Sequence, residues 1–231
     1  MDYVNFRFET DADGIALVTW DMPGRSMNLI DLKTIEELAA LVERVAADGA
    51  IKGAVVTSGK DTFCAGADLT MLEIFNREFL DVAKAQGEER AIARLYEESR
   101  RLSLLYRRLE TCGKPWAAAI NGTVLGGGFE LGLACHRRIA ADNPKTRIGL
   151  PEIKIGLFPG AGAERVFAGD DRCALYGRIA RDSLNDCRKL FDGLKIDEIH
   201  RTPGHVPGDK RNAVGIDLKL EVDVIHHSGP R

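Results

Sequence analysis

Two glutamates, each close to a turn rich in small residues, are the side chains best suited to acid–base chemistry. Glu130 follows the segment LGGGF, and Glu152 lies in the segment GLPEIKIG. Both have apolar neighbours, and an apolar environment raises the pKa of a carboxyl group toward neutrality. One carboxyl can then hold a proton while the other accepts one. The pair predicts general acid–base catalysis, although an isolated glutamate is more often a solvated surface residue.

Two loops of small residues are suited to present backbone amides to one reactant. They are residues 64–68 (CAGAD) and residues 125–130 (LGGGFE). Without bulky side chains, backbone N–H groups can approach a ligand closely, and those at a helix N-terminus carry partial positive charge. Two such donors that converge on one oxygen form an oxyanion hole. The alternative for the glycine triplet, taken alone, is an ordinary tight turn between a strand and a helix.

The sequence gives little support for a nucleotide-binding site, a disulfide framework or a metal site. Phe129, Glu130 and Leu131 follow the glycine triplet instead of a third glycine at the dinucleotide spacing, and no GxxxxGK[ST] loop occurs. We therefore expect neither nucleotide hydrolysis nor NAD chemistry. The five cysteines lack CxxC spacing, and their odd number argues against a closed disulfide framework. No metal site is predicted.

The elements around these residues alternate between strands and helices, which predicts an α/β fold with crossover connections. A highly charged stretch with apolar residues at helical spacing predicts a long helical excursion between the two loops. The predicted strands are residues 14–20, 53–58, 114–120 and 137–142, and the predicted helices are residues 31–48, 71–110 and 129–136.

Length, composition and charge limit the classes of partner that the chain is expected to bind. With 231 residues, 45% of them hydrophobic, the chain is long enough for one main core. A formal charge of -3 leaves no overall electrostatic signature of nucleic-acid binding. The N-terminal residues lack the pattern of a signal peptide, and no segment has membrane-spanning length. We expect a cytoplasmic protein that binds neither nucleic acid nor membrane.

Three segments in a fixed order resemble the signature blocks of the enoyl-CoA hydratase/isomerase (crotonase) superfamily. They are FCAGADL at 63–69, NGTVLGGGFEL at 121–131 and GLPEIKIGLFPGAG at 149–162. The resemblance covers residues 1–165, and the chain looks most similar to the N-terminal hydratase part of bacterial multifunctional fatty-acid oxidation proteins. It implies a core of stacked ββα turns with a helical insertion near 71–110.

The resemblance also implies roles for the loops and glutamates. The N–H groups of Ala67 and Gly127 would form the oxyanion hole. Glu130 and Glu152 would hold a water that adds across the C2–C3 double bond of a trans-2-enoyl-CoA. Glu130 would polarise this water and Glu152 would deliver the proton to C2, although the pair acts as a unit and the division of roles stays open.

The implied substrate-binding residues surround the same loops. The carbonyl of Ala65 would receive the adenine amino group, and Gly66, Asp68 and Gly126 would shape the site. Arg25 is either a ligand of a coenzyme A phosphate or a solvated surface arginine. Coenzyme A enters only as part of the substrate, without a separate cofactor, and the family resemblance implies a homotrimer or larger oligomer.

The C-terminal part departs from the family pattern. Where the family continues with glycine, threonine and Gln-Arg, this chain has Ala163, Glu164 and Arg165. Helical periodicity fades beyond them, with one or two helices still compatible with residues 170–199. We predict a crotonase-like domain at 1–165 and an atypical, partly helical or irregular segment at 166–231, altered or derived from the out-of-frame end of a longer gene.

The leading prediction is an enoyl-CoA hydratase of fatty-acid β-oxidation, because both acidic positions are filled. A Δ3-Δ2 enoyl-CoA isomerase is the first alternative, since it could manage with one carboxylate. The second is a catalytically poor acyl-CoA-binding protein with a divergent tail. A nucleic-acid-binding module has only the Arg-Arg pairs at 100–101, 107–108 and 137–138 in its favour, and these fit solvated faces better.

Overall fold

The computed structural model describes residues 2–141, 143–161 and 222–224, and within them the predicted α/β fold is confirmed. The strands are β1 (Phe6–Thr10), β2 (Ile15–Trp20), β3 (Gly53–Ser58), β4 (Thr62–Cys64), β5 (Trp116–Ile120), β6 (Thr123–Leu125), β7 (Arg137–Ala140), β8 (Ile148–Gly149) and β9 (Val222–Val224). The helices are α1 (Leu32–Ala47), α2 (Leu69–Gln86), α3 (Glu88–Glu110) and α4 (Gly127–Ala134), and a 3₁₀ turn spans Glu152–Ile155.

The larger sheet has the order β1-β2-β3-β5-β7-β9. β1 pairs antiparallel with β2, and every other neighbouring pair is parallel. β3 and β5 are buried along their whole length, as expected for central strands of a parallel sheet. β3 has the predicted bounds, and the predicted strands 14–20, 114–120 and 137–142 contain β2, β5 and β7.

A smaller sheet, which the sequence patterns did not predict, carries the three segments of interest. Its strands β4, β6 and β8 are two or three residues long and pair in parallel. Because parallel strands end at the same edge of a sheet, the residues after Cys64, Leu125 and Gly149 emerge side by side. This edge brings together the two amide-presenting loops and the segment that holds Glu152.

The predicted helical insertion is confirmed, but it consists of two helices. Gly87, at φ 91°, ends α2 and precedes α3. Residues with side chains rarely adopt such a φ, which explains why the break falls at a glycine. α2 packs on α3 and contains no buried residue, whereas α3 buries Leu105, Tyr106 and Leu109 in the core.

The main core lies between the larger sheet and the helices. α1 begins at the cap Asp31, whose side chain accepts a hydrogen bond from the Thr34 N–H at 2.7 Å. Burial of one leucine or valine side chain stabilises the fold by about 1.5–3 kcal/mol. The apolar face of α1 comprises Ile35, Leu38, Leu41, Val42 and Val45.

Only one part of the predicted atypical C-terminal segment can be compared with the structure. Val222–Val224 forms β9, which pairs in parallel with β7. The helical stretch considered for residues 170–199 lies outside the described residues. Within the described ranges, none of the helices has both the length and the apolar character needed to cross a bilayer.

Candidate active site

The first amide-presenting loop is held by a single parallel bridge to Ile30. The Ile30 N–H donates to the Gly66 carbonyl at 2.9 Å, and the Asp68 N–H donates to the Ile30 carbonyl at 2.9 Å. Because these bonds use the residues on either side of Ala67, the N–H of Ala67 points away from Ile30. Among the described residues it has no hydrogen-bond partner. It is thus free to donate to a ligand.

Asn28, which the sequence analysis did not single out, anchors the same loop. Its side chain is fully buried and donates to the carbonyls of Trp20, at 2.9 Å, and Phe63, at 3.2 Å. Its own backbone carbonyl accepts a hydrogen bond from the Ala65 N–H at 3.0 Å. A buried amide needs such partners, so Asn28 links the loop to two strands. Its contacts are distant in sequence, and the local pattern carries no signal of them.

The second loop requires glycine at positions 126 and 128 for different reasons. Gly126, the cap of α4, has φ 56° and ψ −136°, and a Cβ built there would lie 3.0 Å from Glu152 Oε1. A Cβ built on Gly128 would lie 2.5 Å from the Cβ of Cys64. The glycines therefore allow the two loops and Glu152 to approach closely. Gly127, as the first residue of α4, has no intrahelical acceptor for its N–H.

Glu130 lies on the first turn of α4, with 4% of its surface exposed. Its Oε1 accepts a hydrogen bond from the Ala161 N–H at 2.7 Å. Its Oε2 would lie 3.9 Å from a Cβ built on Gly127. The carboxylate is thus fixed beside the start of α4 by the end of the third sequence block. Ala161 was not predicted to have this role.

Glu152, the first residue of the 3₁₀ turn after β8, approaches the same turn of α4 from the third segment. Burial raises the pKa of its carboxyl above the usual range, although a hydrogen bond from its own backbone N–H acts in the opposite direction. Its Oε2 is buried and has no hydrogen-bond partner among the described residues. A carboxyl in this environment is suited to hold a proton and release it to a reactant.

Asp68 and Arg25 lie at the edge of this arrangement. Asp68 Oδ1 accepts from the Thr70 N–H at 2.8 Å and so caps α2, while Oδ2 forms an ion pair with Arg25 at 3.2 Å. About half of the Arg25 side chain, 52%, is exposed. Arg25 therefore contacts Asp68 and not the glutamates. Its role toward a phosphate stays a prediction, as does that of the Ala65 carbonyl toward adenine.

The structure thus groups the predicted residues around one dipeptide. The Glu152 carboxyl lies close to Gly126 and the Glu130 carboxyl close to Gly127. Gly66 lies against Gly126, since a Cβ built on Gly126 would lie 3.7 Å from the Cα of Gly66. Two carboxyls beside a backbone donor can activate a water and stabilise a developing negative charge. Within the described part of the chain, no group of three or more His, Cys, Asp or Glu residues is placed to hold a metal ion.

Comparison with known proteins identifies the family. A model of the enoyl-CoA hydratase/isomerase family matches residues 10–169. The fatty acid oxidation complex subunit alpha of Idiomarina loihiensis is 41% identical over 158 residues, which are 68% of this chain and 20% of that protein. The same subunit of Shewanella frigidimarina is 43% identical over 151 residues, 65% of this chain and 19% of that protein. The chain spans about a fifth of the length of these relatives.

Solved structures share the fold. DspI of Pseudomonas aeruginosa has a TM-score of 0.62 and 26% identity, covering 86% of this chain and 76% of that one. An enoyl-CoA hydratase from Shewanella pealeana has a TM-score of 0.67 at 18% identity, covering 84% of this chain and 76% of that one. These likenesses confirm the predicted crotonase-like fold.

Proposed function

This chain belongs to the enoyl-CoA hydratase/isomerase family, and on that premise we propose that it is an enoyl-CoA hydratase. It adds water to a trans-2-enoyl-CoA and produces a 3-hydroxyacyl-CoA. The observation that carries this proposal is the pair of carboxyls, with Glu152 close to Gly126 and Glu130 close to Gly127 in the same turn. Hydration of a double bond needs both the removal and the delivery of a proton, which suits two carboxyls better than one.

The thioester carbonyl is the group on which negative charge develops. In the proposed mechanism its oxygen accepts hydrogen bonds from the N–H groups of Ala67 and Gly127. Water oxygen bonds to C3 while the C2–C3 π electrons move toward the carbonyl and form an enolate. Donors placed at that oxygen before the reaction stabilise this charge, and one such donor is worth about 3 kcal/mol in other enzymes.

The two carboxyls complete the proton balance. Glu130 accepts a proton from the attacking water, and Glu152 gives its own proton to C2 as the enolate collapses. One O–H bond breaks, and one C–O bond and one C–H bond form. The raised pKa of Glu152 supports its assignment as the donor. Glu130, which is held by the Ala161 N–H, is then the acceptor. The proton then returns within the pair, which acts as a unit.

Hydration of crotonyl-CoA, followed by the loss of enone absorbance, tests this proposal. Glu130→Gln and Glu152→Gln keep the shape of each side chain and remove its acid–base function. We expect each to lower kcat by at least about a hundredfold, the usual contribution of a positioned acid or base. Glu43→Gln is the matched control, because that exposed carboxylate pairs with Arg108 on the surface. Equal rates in all four proteins would refute the mechanism.

A Δ3-Δ2 enoyl-CoA isomerase is the second candidate. It is favoured by the unequal environments of the carboxyls, because Glu130 is held by Ala161 whereas Glu152 Oε2 has no partner among the described residues. Glu152 alone could then move a proton between C2 and C4. A 3-enoyl-CoA substrate separates the two proposals. An isomerase converts it, also when Glu130 is replaced by glutamine, whereas a hydratase leaves it unchanged and loses its hydration of crotonyl-CoA in the same variant.

We further propose how the substrate is bound and in which pathway and assembly the chain acts. Coenzyme A is bound only as part of the thioester, with Ala65, Gly66, Asp68 and Gly126 around its binding site and Arg25 beside a phosphate. The likeness to fatty acid oxidation complex subunit alpha supports a place in fatty-acid β-oxidation. A cytoplasmic location and a homotrimer or larger oligomer are further parts of the proposal. Binding of acyl-CoA without turnover would instead favour a catalytically poor binding protein.

A further inference from the structure

A tyrosine on α3 reaches the first turn of α4. The hydroxyl of Tyr106 donates a hydrogen bond to the Gly127 carbonyl at 2.7 Å. The side chain is buried, with 2% of its surface exposed. Within the described ranges, this is the one side-chain hydrogen bond made to residues 126–128. It therefore connects α3 directly to the turn on which the proposed chemistry depends.

This turn needs an external restraint because it consists of glycines. Three successive residues without side chains have more conformational freedom than any others. Ile30, Leu102 and Cys64 fill the space around them, but such apolar contacts are not directional. A hydrogen bond to a carbonyl fixes the orientation of a peptide plane. The Gly127 carbonyl oxygen has two lone pairs, so it can accept the hydrogen bond from Tyr106 in addition to the one within the helix.

We propose that Tyr106 is a positioning residue, whose hydroxyl orients the first turn of α4 and thereby holds the Gly127 N–H and the Glu130 carboxylate in place for the thioester. This proposal rests on the proposed hydratase function. In this role Tyr106 makes its hydrogen bond to the backbone and needs no contact with the substrate. It acts through the backbone of Gly127, which is the residue before Gly128 and three before Glu130.

The environment keeps this hydroxyl protonated. Burial raises the pKa of Tyr106 well above its ordinary value, and the nearby Cys64, Glu130 and Cys135 raise it further. The donor is therefore present throughout the pH range of an assay. Loss of the hydroxyl lowers the rate by the same factor at each pH and leaves the shape of the pH profile unchanged.

Tyr106→Phe removes the hydroxyl and keeps the ring in the core. In the hydration assay its kcat falls by about tenfold, the size expected for one lost hydrogen bond of this kind, while KM changes far less. Tyr96→Phe makes the same chemical change on the same helix at a hydroxyl-bearing side chain that is 62% exposed, and its kcat stays unchanged. Leu109→Val is a buried change on α3 whose expected loss of stability is similar to that of Tyr106→Phe. It leaves the Tyr106 hydroxyl in place and therefore separates positioning from general destabilisation. An equal loss of kcat in Leu109→Val and Tyr106→Phe overturns the proposal.

A second measurement does not depend on activity. Amide hydrogen exchange at Phe129 and Glu130, whose N–H groups donate to the Gly126 carbonyl at 2.8 Å and 3.0 Å, becomes faster in Tyr106→Phe than in wild type, and stays unchanged in Tyr96→Phe. If wild type does not hydrate crotonyl-CoA, the proposed function fails and this exchange result decides alone whether Tyr106 restrains the turn. Unchanged exchange in Tyr106→Phe overturns the positioning role even if hydratase activity is found.

Discussion

Replacement of Gly127 by alanine tests how closely α4 approaches Ile30, the residue that bridges to Ala67 in the first loop. A Cβ built on Gly127 would lie 2.8 Å from the Cδ1 of Ile30, a distance well inside van der Waals contact. Ile30 is 2% exposed and enclosed by the core, so its side chain has little room to move. The next neighbour is Leu102 Cδ2 at 3.6 Å, an ordinary contact. The clash therefore involves one methyl group.

The expected free energies follow from these contacts. At an unhindered helical position, alanine is about 0.5–1 kcal/mol more stable than glycine. Overpacking of a core costs about 1–3 kcal/mol. We expect Gly127→Ala to lower the free energy of unfolding by about 1 kcal/mol. Ile30→Val removes the clashing Cδ1 and by itself costs about 0.5–1.5 kcal/mol.

The double variant Gly127→Ala/Ile30→Val isolates the clash. It lacks Cδ1, so we expect it to be more stable than the sum of the single changes predicts, by about 1–3 kcal/mol. Urea unfolding can be followed by the fluorescence of Trp20 and Trp116, which are both buried. Gly49→Ala is the control, since a Cβ there meets no atom within 4 Å. Additive free energies, within about 0.5 kcal/mol, would refute the reasoning.

Two further predictions concern buried titratable groups. Burial raises the pKa of Glu152 above the ordinary 4.5, so the folded state holds this proton more tightly than the unfolded state. The stability that this carboxyl contributes is therefore fully present below the pKa of the unfolded state, and it is lost as pH rises through the raised pKa of the folded state. Urea unfolding at several pH values should show wild type losing stability relative to Glu152→Gln over this range, and a constant difference would contradict the assignment. Burial also raises the pKa of Cys64 to about 12, so iodoacetamide at mildly alkaline pH should alkylate the half-buried Cys112 well before Cys64 in the native protein. Peptide mass mapping measures both sites, and equal labelling rates would show that Cys64 is accessible.

The residue types in the two loops do not explain why the loops meet, because the strands that join them are very short. β4, β6 and β8 have at most three residues each, and periodicity cannot be detected over so few positions. The longer strands β2, β3, β5 and β7 were predictable from their apolar runs. The smaller sheet was not, although its edge brings the three sequence blocks together.

The break in the helical insertion shows a similar limit. Apolar residues at helical spacing predicted helix from 71 to 110, and helix forms over nearly all of it. Gly87 alone was a weak signal, since an isolated glycine is tolerated inside a helix at a cost of about 1 kcal/mol. Packing of α2 on α3 makes the turn at Gly87 favourable. That packing is a tertiary interaction and leaves no local mark.

The sequence by itself determined the properties that depend on neighbours along the chain. These are the α/β alternation, the small residues of both loops, and the candidacy of Glu130 and Glu152. The tertiary structure alone decided which groups meet. Glu130 is held by Ala161, 31 residues away, and the Gly127 carbonyl by Tyr106, 21 residues away. The raised pKa of Glu152 likewise arises from burial, because the free energy of a charge depends on all atoms around it in space.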